Sequence, residues 1–480
     1  MTSNIPELSS RPIERGAPRV QKIGPVAWGQ KHLFNSVFNS VLTVALVIIL
    51  GWVLFGMLTW ALTLANWSVV VDNFPEFMVG LYPPQSYWRL WSVFGIILAL
   101  AGLSWGVLAR NQKQLFGRNV LIGFGAIALL SLIVPMTRSS FLYIFIGLGL
   151  LAAGAVAGRA LGQKVSGAAS WISAGWFVSY FVVLYLIGGG PFFGRGTTAP
   201  SLFYSIVIML GGSLIAGWQL SKRVSVPAVP AWIGKIILFL VGFIVVYQVL
   251  WRLPYLLGLD FGLRNVSTNS WGGLTLTLLL AVSGIALCFP AGVVLALGRR
   301  SKLPILRLFS VAYIELIRGV PLISILFMGQ VLIPLFLPPD VRPDRVVRAI
   351  IGLTIFSAAY LAENVRAGLQ AVPQGQAEAA QSLGLNKPLT TALIVLPQAL
   401  KTAIPAIVGQ FISLFQDTTL LGIVGLVELL GITQNLLASP KYLGDYKEAY
   451  IFIAAIYWLF CYAMSYGSRK VESALNTDLR

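Results

Sequence analysis

An all-α, polytopic integral membrane protein with about twelve transmembrane helices is the fold class this sequence predicts. Three observations predict it. Of the 480 residues 57% are hydrophobic and only 10% are charged, where a soluble domain carries roughly 25% charged residues. Mean hydropathy is +0.82. Apolar runs of spanning length recur from one end of the chain to the other, and Lys and Arg fall in short clusters between alternate runs. That clustering explains the net charge of +18 as basic cytoplasmic loops and excludes a nucleic-acid-binding face. Cys288 and Cys461 lie inside apolar runs and His32 is the only histidine, so the composition excludes a disulfide framework and a Cys/His metal cluster.

Residues 1–32 are polar, carry Pro6, Pro12, Pro18 and Pro25, and are expected to be a disordered cytoplasmic tail. The basic start before an apolar run looks like a secretory signal. Val41–Ala65, at about 25 residues, is too long for a signal core and long enough to span, so it is expected to be a retained anchor. Spans are expected near 40–65, 91–109, 119–135, 141–161, 169–189, 201–220 and 236–252, the third being short. Loops after the even-numbered spans hold Arg110, Lys113 and Arg118, then Arg159 and Lys164, then Lys222, Arg223 and Lys235. Asp72, Glu76 and Asp260 fall in the other loops. This alternation puts the amino terminus in the cytoplasm and residues 253–271 outside.

The second half opens with the span Gly272–Gly298, in which Pro290 is expected to kink the helix, and reaches the cytoplasm at Arg299, Arg300 and Lys302. Leu303–Ile317 mixes Arg307 and Glu315 with Leu and Ile and is expected to lie at the interface. Spans near 320–337 and 347–361 come next. After them, 403–431 is apolar but broken at Gln416-Asp417-Thr418-Thr419, and 449–467 is the last span. No convincing internal repeat is visible, which weighs against an inverted-repeat secondary transporter.

Between those spans lies the longest polar interruption of the second half, residues 360–402. Ala377–Leu383 favours two turns of helix, and Gly384 supplies the backbone freedom that ends it. Asn386 is a suitable N-cap and Pro388 suits a first turn, so a second short helix is expected over Leu389–Leu396, limited by Pro397. A helix, a tight turn and a helix make a knuckle too long to be a mere connection.

That stretch, with Glu378, Ala379, Ala380, Gly384, Leu396 and Pro397, resembles the EAA loop of ABC importer permeases. The resemblance implies that the loop docks into a groove on a cytoplasmic ATPase and carries its motion to the membrane helices. Further segments narrow it to the polar amino acid uptake permeases: Gly273-Leu274-Thr275-Leu276-Thr277, Glu315-Leu316-Ile317-Arg318-Gly319-Val320-Pro321, Ala362-Glu363-Asn364-Val365-Arg366, Pro373-Gln374-Gly375-Gln376 and Asp417-Thr418-Thr419-Leu420. The likeness runs from about residue 270 to 475. Val320, Ala367 and Gln416 depart from the usual pattern, outside the coupling loop. Leu33-Phe34-Asn35-Ser36 and Tyr82-Pro83 to Trp88-Arg89 are similar to the long subgroup that takes up general L-amino acids, while residues 110–235 match it only loosely.

The chain is accordingly expected to divide into a cytoplasmic tail 1–32, a seven-span extension 33–253, a type I ABC importer-like five-helix permease domain 270–470 with its coupling loop 363–402, and a cytoplasmic tail 471–480. No G-x-x-x-x-G-K-[ST] element occurs, so ATP and Mg would be bound by a partner ATPase, with no cofactor in this chain. The single histidine, His32, falls in the polar amino-terminal stretch, so the sequence offers no convincing Ser/His/Asp set. The resemblance implies membrane lipid, an ATPase dimer, a second permease (as a heterodimer), an extracytoplasmic amino acid binding protein and an L-amino acid substrate as partners, and no nucleic acid. It also implies a multi-pass place in the bacterial inner membrane with both termini cytoplasmic. The alternative is an ion-coupled secondary amino acid transporter. Glu315 with Arg318 and Glu363 with Arg366 are spaced i, i+3 and are candidates for gating, or simply solvated pairs. Asp417, with Thr418, either lines the pathway or caps the helix immediately after it.

Overall fold

Long apolar runs in a bilayer can satisfy their backbone polar groups only internally, so they become helices. The computed structural model describes residues 24–111, 114–133, 138–165, 167–189, 234, 236–242, 244–245, 263–338 and 343–476. Among these residues eight helices are long and apolar enough to cross a membrane, or nine if one bent pair counts as a span. Of the twelve spans expected, 201–220 lies outside the described residues and 236–252 lies partly outside them. The expected short third span is α6 below, too short for that test.

The chain divides into two compact units, Met1–Asn66 and Trp67–Arg480. The first holds α1 (Pro25–His32) and α2 (Val37–Thr59), the latter continued by a wider turn over Trp60–Leu64. Ser36 caps α2, its hydroxyl accepting from Asn39 N at 3.2 Å. No residue of α2 is buried. Pro25–His32, expected to be disordered, is helical because its proline occupies the tolerated first turn; residues 1–23 lie outside the described residues.

The second unit begins with two short helices, α3 (Ser68–Asp72) and α4 (Phe74–Val79), and continues with α5 (Tyr87–Leu108), α6 (Arg118–Ile133), α7 (Arg138–Lys164) and α8 (Ala168–Gly188). Helix α5 packs against α7 and α8. The permease half then supplies α9 (Gly273–Arg299), α10 (Pro304–Gly319), α11 (Leu322–Phe336) and α12 (Arg345–Ala371). Helices α10 and α11 meet at 104°, because Val320-Pro321 is extended and proline disfavours a helical residue before it. After the loop come α13 (Gln374–Ser382), α14 (Lys387–Thr390), α15 (Leu396–Asp417), α16 (Leu429–Leu437) and α17 (Tyr446–Asn476).

Helix α12 is central, packing against α9, α11 and α15, and α15 packs in turn against α17. Asp344 caps α12, accepting from Val346 N at 2.8 Å. At the end of α12 that leads into the loop, Ala296, Ile314, Leu361, Ala362, Val365, Leu369, Ala399 and Ala403 form one buried cluster.

The packing does not divide between 253 and 270, where the resemblance to the permease family places a boundary. Phe77 of α4 is fully buried against Leu429, Ile432 and Ile453, and Thr275 donates its hydroxyl to Met78 O at 2.9 Å. Gly80 and Gly272 lie backbone against backbone. Tyr82, Leu90, Leu184 and Ile187 share one core with Leu276, Leu280, Leu326 and Leu353, so apolar contacts join the two halves. The final helix runs through Asn476, without a break at 470.

Candidate functional site

The loop between α12 and α15 folds largely as its residues demand. Helix α13 starts after Pro373 and ends at Ser382; Gly384 adopts φ +86, a left-handed conformation that glycine takes without a Cβ clash. Leu385 N then bonds back to Ala380 O at 3.2 Å and Gly384 N to Gln381 O at 2.9 Å, closing the turn and satisfying the last carbonyls. Asn386 is the N-cap of α14, its Oδ1 accepting from Leu389 N at 3.0 Å.

Two expectations differ from the structure here. Helix α12 continues through Glu363 and Arg366 to Ala371, so the segment outside the long helices starts at Val372 and not at 363. Pro397 does not limit a short second helix. A wider turn over Thr391–Val395 runs directly into α15, and that widened turn accommodates Pro397, whose missing N–H could not serve a regular one. Ala380 and Thr390 are buried, while Glu378, Ala379, Gly384 and Leu389 are exposed and Leu383 is 86% exposed. The knuckle thus presents a compact outward face, apolar at its tip, on the end of the central helix.

Beside it stands a set of charges drawn from three helices. Glu363 and Arg366 pair as their spacing suggests, with Nη2 2.8 Å from Oε2. Glu315 and Arg318 do not pair with each other. Glu315 instead meets Arg299 Nη2 at 2.9 Å, and Arg318 lies 3.9 Å from Glu363 Oε2. Arg299 Nη1 also reaches Glu363 Oε1 at 2.8 Å. In the sequence Arg299 reads only as a loop charge; helix ends converge in space without any signal of it in spacing.

At the other end of α15, Asp417 has helical backbone and its side chain makes no cap hydrogen bond, so it is not an N-cap. The next residues form a tighter helix, Thr418–Val424, for which no extended cap residue is needed. Thr418 is fully buried and donates its hydroxyl to Phe415 O at 2.7 Å. The acid that does cap is Glu428, which is fully buried, lies between spans, and accepts from Leu430 N and Gly431 N at 2.8 Å each. Tyr457 donates its hydroxyl to Glu428 at 3.3 Å, and burial pushes the carboxyl up to about 7. The sequence signal for this is weak: Glu is not among the residues that usually cap, and only its place as a lone acid before the apolar Leu-Leu-Gly run marks it.

Comparison with known proteins fits these features. Residues 288–476 match the family described as binding-protein-dependent transport system inner membrane component. Over 495 aligned positions the chain is 33% identical to the glutamate/glutamine/aspartate/asparagine transport system permease protein BztC of Rhodobacter capsulatus, covering 97% of both chains. It is 48% identical over 240 residues to the inner membrane amino-acid ABC transporter permease protein YhdY of Escherichia coli, covering 50% of this chain and 65% of that protein. A solved amino acid ABC transporter, crystallised with histidines, is 31% identical over 42% of this chain and 92% of its own, with a TM-score of 0.38.

Proposed function

Because the chain belongs to the family of binding-protein-dependent inner membrane components, as an amino-acid ABC importer permease, we propose that its helix–turn–helix knuckle at residues 374–390 is where the energy of ATP hydrolysis enters the membrane helices. The chain is a multi-pass inner-membrane transmembrane subunit, and the secondary-transporter alternative finds no support among its relatives. The observation that carries the proposal is the exposed turn closed by Gly384 at φ +86, mounted on the central helix α12. An outward knuckle closed by its own backbone bonds and a helix cap is suited to seat in a groove and to pass a displacement on; an open loop would absorb it.

In this reading Glu378, Ala379, Ala380, Gly384, Leu396 and Pro397 form the docking element. ATP and Mg belong to a partner ATPase dimer, a second and different permease completes the membrane pore, and a binding protein delivers substrate from outside. Both termini then face the cytoplasm. The transport domain is built on residues 270–470, with α3 and α4 packed on it and residues of α5 and α8 sharing its core. Polar L-amino acids are the proposed cargo, supported by full-length similarity to a permease named for glutamate, glutamine, aspartate and asparagine. Asp417 is proposed to line the pathway, since the cap role has no hydrogen bond to support it and an acid in an apolar span usually serves function. Glu315, Arg318, Glu363 and Arg366 are proposed to gate.

Uptake of radiolabelled amino acids into vesicles containing the whole complex tests the reading. ATP-dependent accumulation of Gln, Glu, Asp or Asn is expected. Accumulation driven by an ion gradient without ATP would overturn it.

A further inference from the structure

Arg299 ends helix α9, yet its guanidinium is shared by carboxylates on two other helices. One nitrogen lies 2.9 Å from Glu315 on α10, and another 2.8 Å from Glu363 on α12. The second oxygen of Glu363 takes Arg366 at 2.8 Å and faces Arg318 at 3.9 Å. Arg300, the next residue after Arg299, donates to Leu369 O at 3.0 Å, so the end of α9 is tied to α12 at two heights. The Glu363 side chain is 16% exposed and that of Arg299 25%, which shelters their pair from solvent and salt more than an ordinary surface pair.

The position of this junction gives it leverage. From Glu363 the central helix runs unbroken to Ala371, about 12 Å at a rise of 1.5 Å per residue, and after Val372-Pro373 it becomes the knuckle. A displacement of the knuckle that carries α12 as a rod moves Glu363 relative to Arg299, which belongs to another helix. Coulomb attraction between partly buried charges weakens with each ångström of separation, so the junction resists that displacement until it breaks.

We propose that Arg299 is a positioning residue of the transport cycle, the keystone of an ion-pair latch that holds α9, α10 and α12 in the arrangement seen here and releases when the knuckle displaces α12. This rests on the coupling role of the knuckle. The latch then sets how readily the complex cycles without substrate: while it holds, the knuckle resists movement, and the ATPase is kept slow until the loaded binding protein arrives.

The test is ATP hydrolysis by the complete complex in vesicles, with and without substrate-loaded binding protein. Arg299→Gln is expected to raise the unstimulated rate per assembled complex at least about fivefold, the low end of coupling between distant sites, so that stimulation by loaded binding protein largely disappears. Arg299→Lys, which keeps the charge but not the two-sided fork, should retain part of the stimulation. Glu363→Gln should mimic Arg299→Gln, and the double variant should be no worse than either single. A purely structural role would lower the amount of complex and leave hydrolysis per complex unchanged. An unchanged ratio of stimulated to unstimulated hydrolysis in Arg299→Gln overturns the latch. Should that variant fail to assemble, Glu363→Gln decides, since it removes the sheltered carboxylate and leaves Arg299 in place: an unchanged ratio there overturns the latch as well. If Gly384→Val impairs stimulation while these variants do not, only the latch fails; if Gly384→Val is also silent, the coupling reading fails with it.

Discussion

Gly80 and Gly272 pack backbone on backbone: a Cβ on Gly80 would overlap the Gly272 Cα, and one on Gly272 would come within 3.0 Å of the Gly80 Cα. The chain leaves this point at residue 81 and returns to it at 271, so the intervening segment departs from and rejoins the same place beside α9. Gly80 also sits at φ +64, ψ −136, a region that is essentially glycine's alone.

Gly80→Val therefore combines backbone strain of about 1–3 kcal/mol with a clash against a neighbour that is itself backbone and cannot yield. A loss of thermal stability in the purified protein is expected, far larger than for Gly149→Val, where nothing lies within 4 Å of the added Cβ. Equal effects of the two substitutions would show that the contact does not hold the fold.

At Gly384 the surroundings are open, with nothing within 4 Å of a built Cβ, so the cost of Gly384→Val is the left-handed backbone alone, roughly 1–2 kcal/mol. The protein should insert and assemble, and transport and substrate-stimulated ATP hydrolysis should fall together. Assembly is read by co-purification of the partner subunits; normal stimulation in the assembled variant would refute the coupling role.

For Asp417 the substitution to Asn keeps shape and removes charge. With no cap hydrogen bond to preserve, uptake per assembled complex should fall on the order of tenfold, equivalent to about 1.4 kcal/mol. Uptake near that of the parent protein would remove Asp417 from the pathway.

Glu428 makes the stability of the protein depend on pH in an unusual direction. Its carboxyl titrates at about 7 in the folded protein because of burial, against 4.5 ordinarily. Below 4.5 it is protonated folded or unfolded and costs nothing. Above about 7 it is ionised in both states and the folded protein bears the full cost of a buried charge, on the order of 3 kcal/mol. In between, unfolding releases a proton, so stability declines as pH rises through this window. Melting curves taken from about pH 5 to about pH 8 should show that decline in the parent protein and lose it in Glu428→Gln. Glu428→Ala, which strips both cap bonds, should be less stable than Glu428→Gln by about 1–3 kcal/mol. Parallel pH profiles for the parent and Glu428→Gln would contradict the assignment.

Much of this molecule is decided by local chemistry and so can be read from the sequence. Spanning length comes from apolar run length, because the bilayer leaves the backbone no other partner. The turn of the knuckle comes from Gly384 and its second start from Asn386, because a left-handed residue and a cap act on their nearest neighbours in the chain. The break after Asp417 is visible for the same reason. What the sequence could not determine is which distant groups meet. Glu315 and Arg318 are correctly spaced to pair, yet Glu315 turns to Arg299 because the end of α9 arrives beside α10 in the packed bundle. By residue preference Asp417 is the better cap candidate, and only the path of α16 against Thr277 and Tyr457, with Leu429 N donating to Thr277 Oγ1 at 3.1 Å, makes Glu428 the acid that caps. The place of residues 68–80 on the transport domain is likewise tertiary: Phe77 finds its pocket among Leu429, Ile432 and Ile453, and burial of an aromatic side chain is a property of the partners that surround it, which no local pattern records.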